Sequence, residues 1–462
     1  MHSLVPTRGP TAIARCRLTA ATDAYRYRTP MKFGGRVVED VTVITVTAEI
    51  TNRTGQTAIG RGSMTMGVAW AWPDPTISDP VKLRVVLDLA ERMRQAANDQ
   101  SAEGHPLEVG LQWSGYHREI AQEVATAAGL ASPIPALAVL LAASPIEAAL
   151  FDAHGKAAGR SSYQLLGKEH LANDLGQLLH DPAYHGLQLE SFVSPQPKST
   201  MPLYHLVGAL DPLSADDVAE PVSDGLPETL EQWIRRCELT HLKIKLAGDD
   251  HQWDLARVGQ IDAVAEQTAD RGESTGKPWH YSLDFNERCE NEEYVLRLLD
   301  ELQQQFPRAS RRIQYIEQPT QRDLHRPDAV TMHRAAERVP VVIDESLTDL
   351  ESLRLAVAQG YSGIALKACK GQVEALLLGA VAQHERLFLC VQDLTCVGMS
   401  LLHSASLAAH LPGVAAIESN GRQYCPAGNE PWMDAFGPMF EIREGSVPTR
   451  LLDGPGLGYP NE

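Results

Sequence analysis

A chain of 462 residues can bury a large core, and its 44% hydrophobic, 22% charged make-up is that of an ordinary globular protein with room for two or three domains or one large barrel with additions. A formal net charge of −18 argues against a nucleic-acid partner, and the most apolar run, residues 134–143, is too short to cross a bilayer, so no membrane role is expected. Seven cysteines, an odd number without a CxxC pair, read as reduced thiols in a cytoplasmic protein.

The first 22 residues carry arginines and no acid, a feature transit peptides share, but they lack an apolar signal core, and a strand from about Ala12 is the better reading. Residues 41–50 (VTVITVTAEI) are β-branched and partly alternating. TNRTGQT then supplies turn residues before AIGRGSMTMG, which predicts a hairpin. From residue 80 to about 166 the period becomes helical, and a sheet followed by helices predicts an α+β domain. Residues 170–200 read as irregular, with SPQPKST as a linker. From Met201 short apolar runs (PLYHLVG, HLKIKL, HYSLDFN, IQYIEQP, VPVVIDES, GIALKA, LFLCVQD, VAAIES) alternate with helices expected near 228–239, 252–270, 291–305, 328–337, 349–358, 371–384 and 400–410. Eight such units predict a (β/α)8 barrel. The remaining tail is too rich in Pro and Gly for another unit and is expected to return to the first domain. The expected division is an α+β domain over 1–198, a barrel over 199–420 and a returning segment over 421–462.

In such barrels the site lies at the C-terminal ends of the strands. The second strand ends in Lys243 and Lys245, the third in Asp284 and Asn286, the fourth in Glu317, and the fifth in Asp344 and Glu345. Lys367 ends the sixth, Gln392 and Asp393 the seventh, and Glu418 the eighth. In HLKIKL the two-residue period puts both lysines on one face and Leu242, Ile244 and Leu246 on the other. Three successive strands each offer a carboxylate, the oxygen set Mg²⁺ prefers, with Mn²⁺ also admissible. A cation there would draw in a small-molecule carboxylate and stabilise the enediolate left when its α-proton is removed. A lysine base needs its pKa brought down from about 10.4, which a neighbouring ammonium, a metal and burial all do. Lys245 is therefore read as the base, Lys243 as nearer the substrate carboxylate, and Lys367 as acting on the opposite face of the same carbon. Asp344 is favoured over Glu345 as a ligand. Asn286, Glu345, Asp393 and Glu418 are expected to contact substrate or stand behind the ligands. VAWAWPDP (68–75) reads as a packing loop, and Cys369, Cys390 and Cys396 as small buried residues.

The motifs KIK (243–245), LDFN (283–286), IEQP (316–319), IDES (343–346) and ALKACK (365–370) resemble the strand motifs of the enolase superfamily, nearest its muconate-lactonizing and mandelate-racemase branches. PIEAALFDAHGKAAGRSSYQLLG (145–167) resembles a helix of that family's capping domain, and RTPMKFGG (28–35) its flexible specificity loop. The resemblance implies Mg²⁺ on Asp284, Glu317 and Asp344, an acid/base pair of Lys245 and Lys367, and a capping domain, built from both chain ends, that selects the substrate through segments 28–35 and 58–68. The absence of a strand-seven His and the presence of Lys367 on strand six favour the Lys/Lys arrangement. IESNG on strand eight, in place of paired acids, argues against a dipeptide substrate. Racemisation or epimerisation fits two opposed lysines. Syn β-elimination or cycloisomerisation, as in acid-sugar dehydratases, succinylbenzoate synthases or muconate lactonizing enzymes, would use the same groups. A homo-oligomer is expected.

Overall fold

The computed structural model describes residues 4, 6–33, 36–100, 102–270 and 277–460. The chain begins with a three-stranded antiparallel sheet, β1 (Ile13–Phe33), β2 (Arg36–Asn52) and β3 (Thr57–Thr65), in that spatial order. The β2–β3 turn is the one the sequence predicts: the Asn52 side-chain oxygen accepts from the Thr54 and Gln56 amides at 3.1 and 3.0 Å, and Gly55 takes φ 84°. The segment 28–35, read as a loop, is instead largely the far end of β1, while Gly34 and Gly35 lie outside the described residues. The β1–β2 pair thus forms a long arm. Its Tyr27, Val41 and Val43 pack on Leu206, Val397, Tyr424 and Cys425 of the barrel region. Most of 58–68, also read as a selecting loop, is β3.

Four helices follow: α1 (Val68–Ala71), α2 (Asp79–Asp99), α3 (Pro106–Ala127) and α4 (Ala136–Ala158). The alternating Ile44, Val46, Ala48 and Ile50 of β2 join the core that includes α4. β3 lies close to the same helix because it carries glycines: a Cβ on Gly60 would fall 2.0 Å from the Ala153 nitrogen, and one on Gly62 2.2 Å from the Pro145 oxygen. The apolar run extends further than residues 134–143 suggested. By length and composition alone α4 is long enough to cross a membrane, but 83% of its most apolar window is buried inside the protein, so it is a core helix.

Eight parallel strands then close into a barrel: β4 (Met201–Val207), β5 (His241–Lys245), β6 (His280–Asp284), β7 (Ile313–Glu317), β8 (Val341–Ile343), β9 (Gly363–Leu366), β10 (Phe388–Val391) and β11 (Val414–Glu418), with β11 pairing back to β4. The longer helices between and after them are α5 (Leu230–Cys237), α6 (His251–Asp270), α7 (Glu292–Gln305), α8 (Leu350–Ala358), α9 (Gln372–His384), α10 (Met399–His410) and α11 (Met433–Phe440). The helix expected over 328–337 shrinks to the single turn His333–Ala336, after a stretch broken by Pro327. Tyr204 and Tyr315, edge to face at 5.6 Å, fill the barrel interior against the small Ala365, Cys390 and Ala416.

Two acids of α4 fasten the N-terminal region to the rest. Glu147 accepts from the Val373 amide at 2.9 Å and so caps α9. Asp152 accepts from the Arg61 amide and the Leu457 amide, both at 2.9 Å, and pairs with Lys156 at 2.6 Å. The tail thereby meets β3 and α4, with the Tyr459 hydroxyl donating to the Arg61 carbonyl at 3.0 Å. Before that it adds a short strand, β12 (Ser446–Val447), antiparallel to β4.

Candidate active site

Alternation in β5 turns Lys243 and Lys245 into the barrel, while Leu242 and Ile244 join the surrounding apolar core. Pairing register sets the next groups beside them: Lys245 is opposite Asp284, and Asp284 is opposite Glu317. Asp344 follows the end of β8 and Lys367 the end of β9. Five neighbouring strands, β5 to β9, therefore present the row lysine, aspartate, glutamate, aspartate, lysine. All six side chains, Lys243 included, are 7% exposed or less.

Each acid faces an ammonium. Lys243 Nζ lies 2.9 and 2.8 Å from the two oxygens of Glu317, 2.8 Å from Glu418 and 3.1 Å from Asp284. Lys245 is hydrogen-bonded to Asp284 as well. Lys367 Nζ is 2.7 Å from one oxygen of Asp344, and Lys370 Nζ is 3.2 Å from the other. Lys370 also donates to the Asp344 carbonyl at 2.5 Å. Burial works against the Lys243 cation, yet Glu317, Glu418 and Asp284 reverse this and leave its pKa well above the ordinary lysine value. Lys367 is raised in the same way, chiefly by Asp344. Burial and then the charge of Asp284 push the Glu317 carboxyl well up, whereas the lysines hold Asp284 and Asp344 below the usual carboxylate range against their burial. Lys243 and Lys245 both reach the same Asp284 oxygen.

The remaining predicted residues divide. Asn286, at φ 47°, donates its amide to Asp284 at 2.9 Å, and its side-chain nitrogen has no hydrogen-bond partner among the described residues. Glu345 turns away from Asp344 and accepts from Trp70 Nε1 at 3.1 Å; burial and then Asp344 raise its pKa to about 8. Glu418 belongs to the Lys243 cluster. Asp393 is spent on backbone, accepting from the Cys396 amide at 2.6 Å and from the Asn420 amide. Cys369, Cys390 and Cys396 are buried, as expected of small core residues.

Four further residues complete the site, and of these only Gln392, at the end of the seventh barrel strand, was read from the sequence as a strand-end group. Trp70, read as part of a packing loop, sits on α1 with its ring 4.5 Å from Lys367 Nζ. Arg322 fixes it by donating to the Trp70 carbonyl at 3.0 Å while gripping Glu287. Gln392 donates to Glu317. Gln318, held at φ 31°, accepts from the Asp344 and Ser346 amides at 3.0 and 3.2 Å and fixes the turn that carries Asp344. The IEQP stretch was the one sequence signal for it.

Two cavities flank the row. Lys245 and Asn286 line one of about 460 Å³, together with Lys32 of the arm, Trp253 and Arg288. Trp70 lines the other, of about 500 Å³, whose wall includes Tyr27, Met31, Met66 and Leu394.

Among the described residues no three His, Cys, Asp or Glu side chains close on one point as a ligand cage, because each acid is turned toward a lysine. The donor chemistry nevertheless fits a hard divalent cation: three buried carboxylates stand on adjacent strands. The two Asp344 oxygens, though close to Lys367 and Lys370, have no hydrogen-bond donor in good geometry among the described residues.

Residues 225–460 match the family described as enolase C-terminal domain-like. The chain belongs to the enolase superfamily. No curated protein matches it in sequence. Similar solved structures include the dipeptide epimerase from Enterococcus faecalis V583 with Mg and L-Leu-L-Tyr, at 17% identity and TM-score 0.57, covering 96% of this chain and 99% of that one. An enolase from Bradyrhizobium with magnesium and mandelic acid is 17% identical, with TM-score 0.59 and coverages of 97% and 96%. The muconate lactonizing enzyme from Pseudomonas fluorescens with muconolactone is 17% identical, with TM-score 0.58 and 97% of each chain covered. At these identities the likeness to this superfamily member is one of fold.

Proposed function

We propose that this protein is a Mg²⁺-dependent enzyme that removes the α-proton of a small-molecule carboxylate, acting as a racemase or epimerase with Lys245 and Lys367 as opposed acid/base groups. The observation that carries this reading is the row across β5 to β9, in which a lysine stands at each end of three carboxylates. Asp284, Glu317 and Asp344 would hold the ion; bound, it supplies positive charge against the negative charge that develops on the substrate carboxylate. Lys243, fixed by Glu317 and Glu418, keeps a permanent positive charge beside that position. Lys245 and Lys367 hold and move the proton. Lys367 is stabilised as an ammonium by the Asp344 it faces, so it becomes a base only when that aspartate is engaged elsewhere. Trp70 keeps Lys367 on its side of the barrel through ring contact and its bond to Glu345.

The test is incubation with Mg²⁺ in D₂O against a library of chiral α-substituted carboxylates. Deuterium gained at the α-carbon with loss of optical purity supports the proposal. Loss of water or ring closure, without α-deuterated starting material, would replace it by elimination or cycloisomerisation. Absence of exchange across the library, with Mg²⁺ bound, would overturn the proton-transfer reading.

A further inference from the structure

A second buried cation lies on the flank of the barrel, between α5 and the segment after β11. Arg422 is only 4% exposed. Its guanidinium lies 4.8 Å from the Trp233 ring centre, donates to His205 Nδ1 at 2.5 Å, and reaches Cys237 Sγ at 3.7 Å. Its Nε makes no hydrogen bond among the described residues. None of these neighbours is a carboxylate, and the titratable groups that act on it are the Cys237 thiol, the Tyr424 hydroxyl and the like-charged Arg236. His205 offers no compensation, since burial and then Arg422 hold it neutral, well below its ordinary pKa. An arginine does not escape by losing its proton. A buried ion without a counter-ion costs several kcal/mol, so the arrangement calls for an anion from outside.

The same arginine lies in the wall of a cavity of about 390 Å³. The other charged residues there are Arg236, Arg443, Glu238 and Glu441, so three guanidiniums face two carboxylates. On the other side of Trp233 a second cavity, about 230 Å³, is walled by Asp211, Asp217, Glu220 and Glu228, with Arg28. Trp233 therefore separates an acidic pocket from a basic one, and an anion is drawn to the Arg422 side. None of the residues of the barrel-mouth row lines it.

We propose that the Arg422 cavity is a binding site for a small tetrahedral oxyanion, either free phosphate or the phosphate group of a small ester, with Arg422 as the buried charge and Arg236 and Arg443 at the rim. The site is separate from the proton-transfer reading. It is tested on the whole protein in EDTA, so that divalent ions at the barrel mouth play no part, by calorimetric titration with inorganic phosphate and with phenyl phosphate at fixed ionic strength. Saturable binding of one equivalent of either probe is expected; tighter binding of the ester points to a phosphorylated metabolite, tighter binding of inorganic phosphate to the free ion. Arg422→Met should weaken binding by at least about tenfold, while Lys245→Ala leaves it unchanged. Arg236→Ala and Arg443→Ala, both at exposed positions, should each weaken it severalfold, and these two decide the matter if Arg422→Met fails to fold. No saturable binding by the unmodified protein overturns the proposal. So does binding that survives Arg422→Met or both rim substitutions, or that disappears with Lys245→Ala.

Discussion

Two of the regions of this molecule that bury cations treat them in opposite ways. At the barrel mouth Lys243 sits among Glu317, Glu418 and Asp284, and every ammonium of the row has an acid within reach. On the flank Arg422 is as deeply buried but has a ring, an imidazole and a thiol for company. The first cluster is balanced and can redistribute its charge when a substrate or cation enters. The second is unbalanced, and its charge is available to an incoming anion. Glu147, in the seam between α4 and α9, is the negative counterpart of Arg422: a buried acid that the backbone of α9 alone compensates.

The comparison breaks most visibly if a balanced cation is removed. Lys243→Met would leave Asp284, Glu317 and Glu418 without their shared ammonium, and a loss of about 3–5 kcal/mol is expected by denaturant titration. No loss would mean the cluster is not mutually stabilising. The Glu147 seam gives a pH signature of similar size. Burial raises this carboxyl from 4.5 to about 7 against its bonds to backbone amides. The folded protein therefore holds the proton more tightly than the unfolded chain. The group's contribution to stability is largest below pH 4.5, falls as pH rises to about 7 and is flat beyond, a span of about 3 kcal/mol. Glu147→Gln should flatten that slope between pH 4.5 and 7 in urea titrations.

Mg²⁺ should raise the melting temperature saturably, by about 2.7 kcal/mol of stability at a hundredfold excess over Kd. Asp344→Asn should abolish the rise while the protein still folds. Arg422→Met sharpens the contrast from the other side. Replacing an unpaired buried charge by an apolar side chain should leave stability unchanged or raise it, in the absence of phosphate. A loss like that of Lys243→Met would show that Arg422 is compensated after all.

The legible parts of the site were those written in local pattern. HLKIKL declares a shared face for two lysines because strand alternation has a period of two, and the acids of LDFN, IEQP and IDES mark strand ends by closing apolar runs. Trp70 carried no such signal: its contacts with Lys367 and Glu345 span 297 and 275 positions of chain. The arm was hidden because RTPMKFGG holds a proline and two glycines, yet β1 runs on through Phe33 and, after an irregularity between Arg26 and Met31, pairs with β2 again over Met31 to Phe33. Arg422 sits in an unremarkable GRQY, and only the packing of α5 against it shows that it lacks a counter-ion.

The central claim is that Lys245 and Lys367 serve opposite faces of one α-carbon. The direct measurement is α-proton exchange in D₂O, followed by NMR on each separate enantiomer of a turned-over substrate, in the two single alanine variants. Each variant should lose racemisation by about 10²–10⁴-fold. Lys367→Ala should still exchange the α-proton of one enantiomer, and Lys245→Ala that of the other. Equal residual exchange of both enantiomers in either variant, or undiminished turnover in Lys367→Ala, would contradict the account.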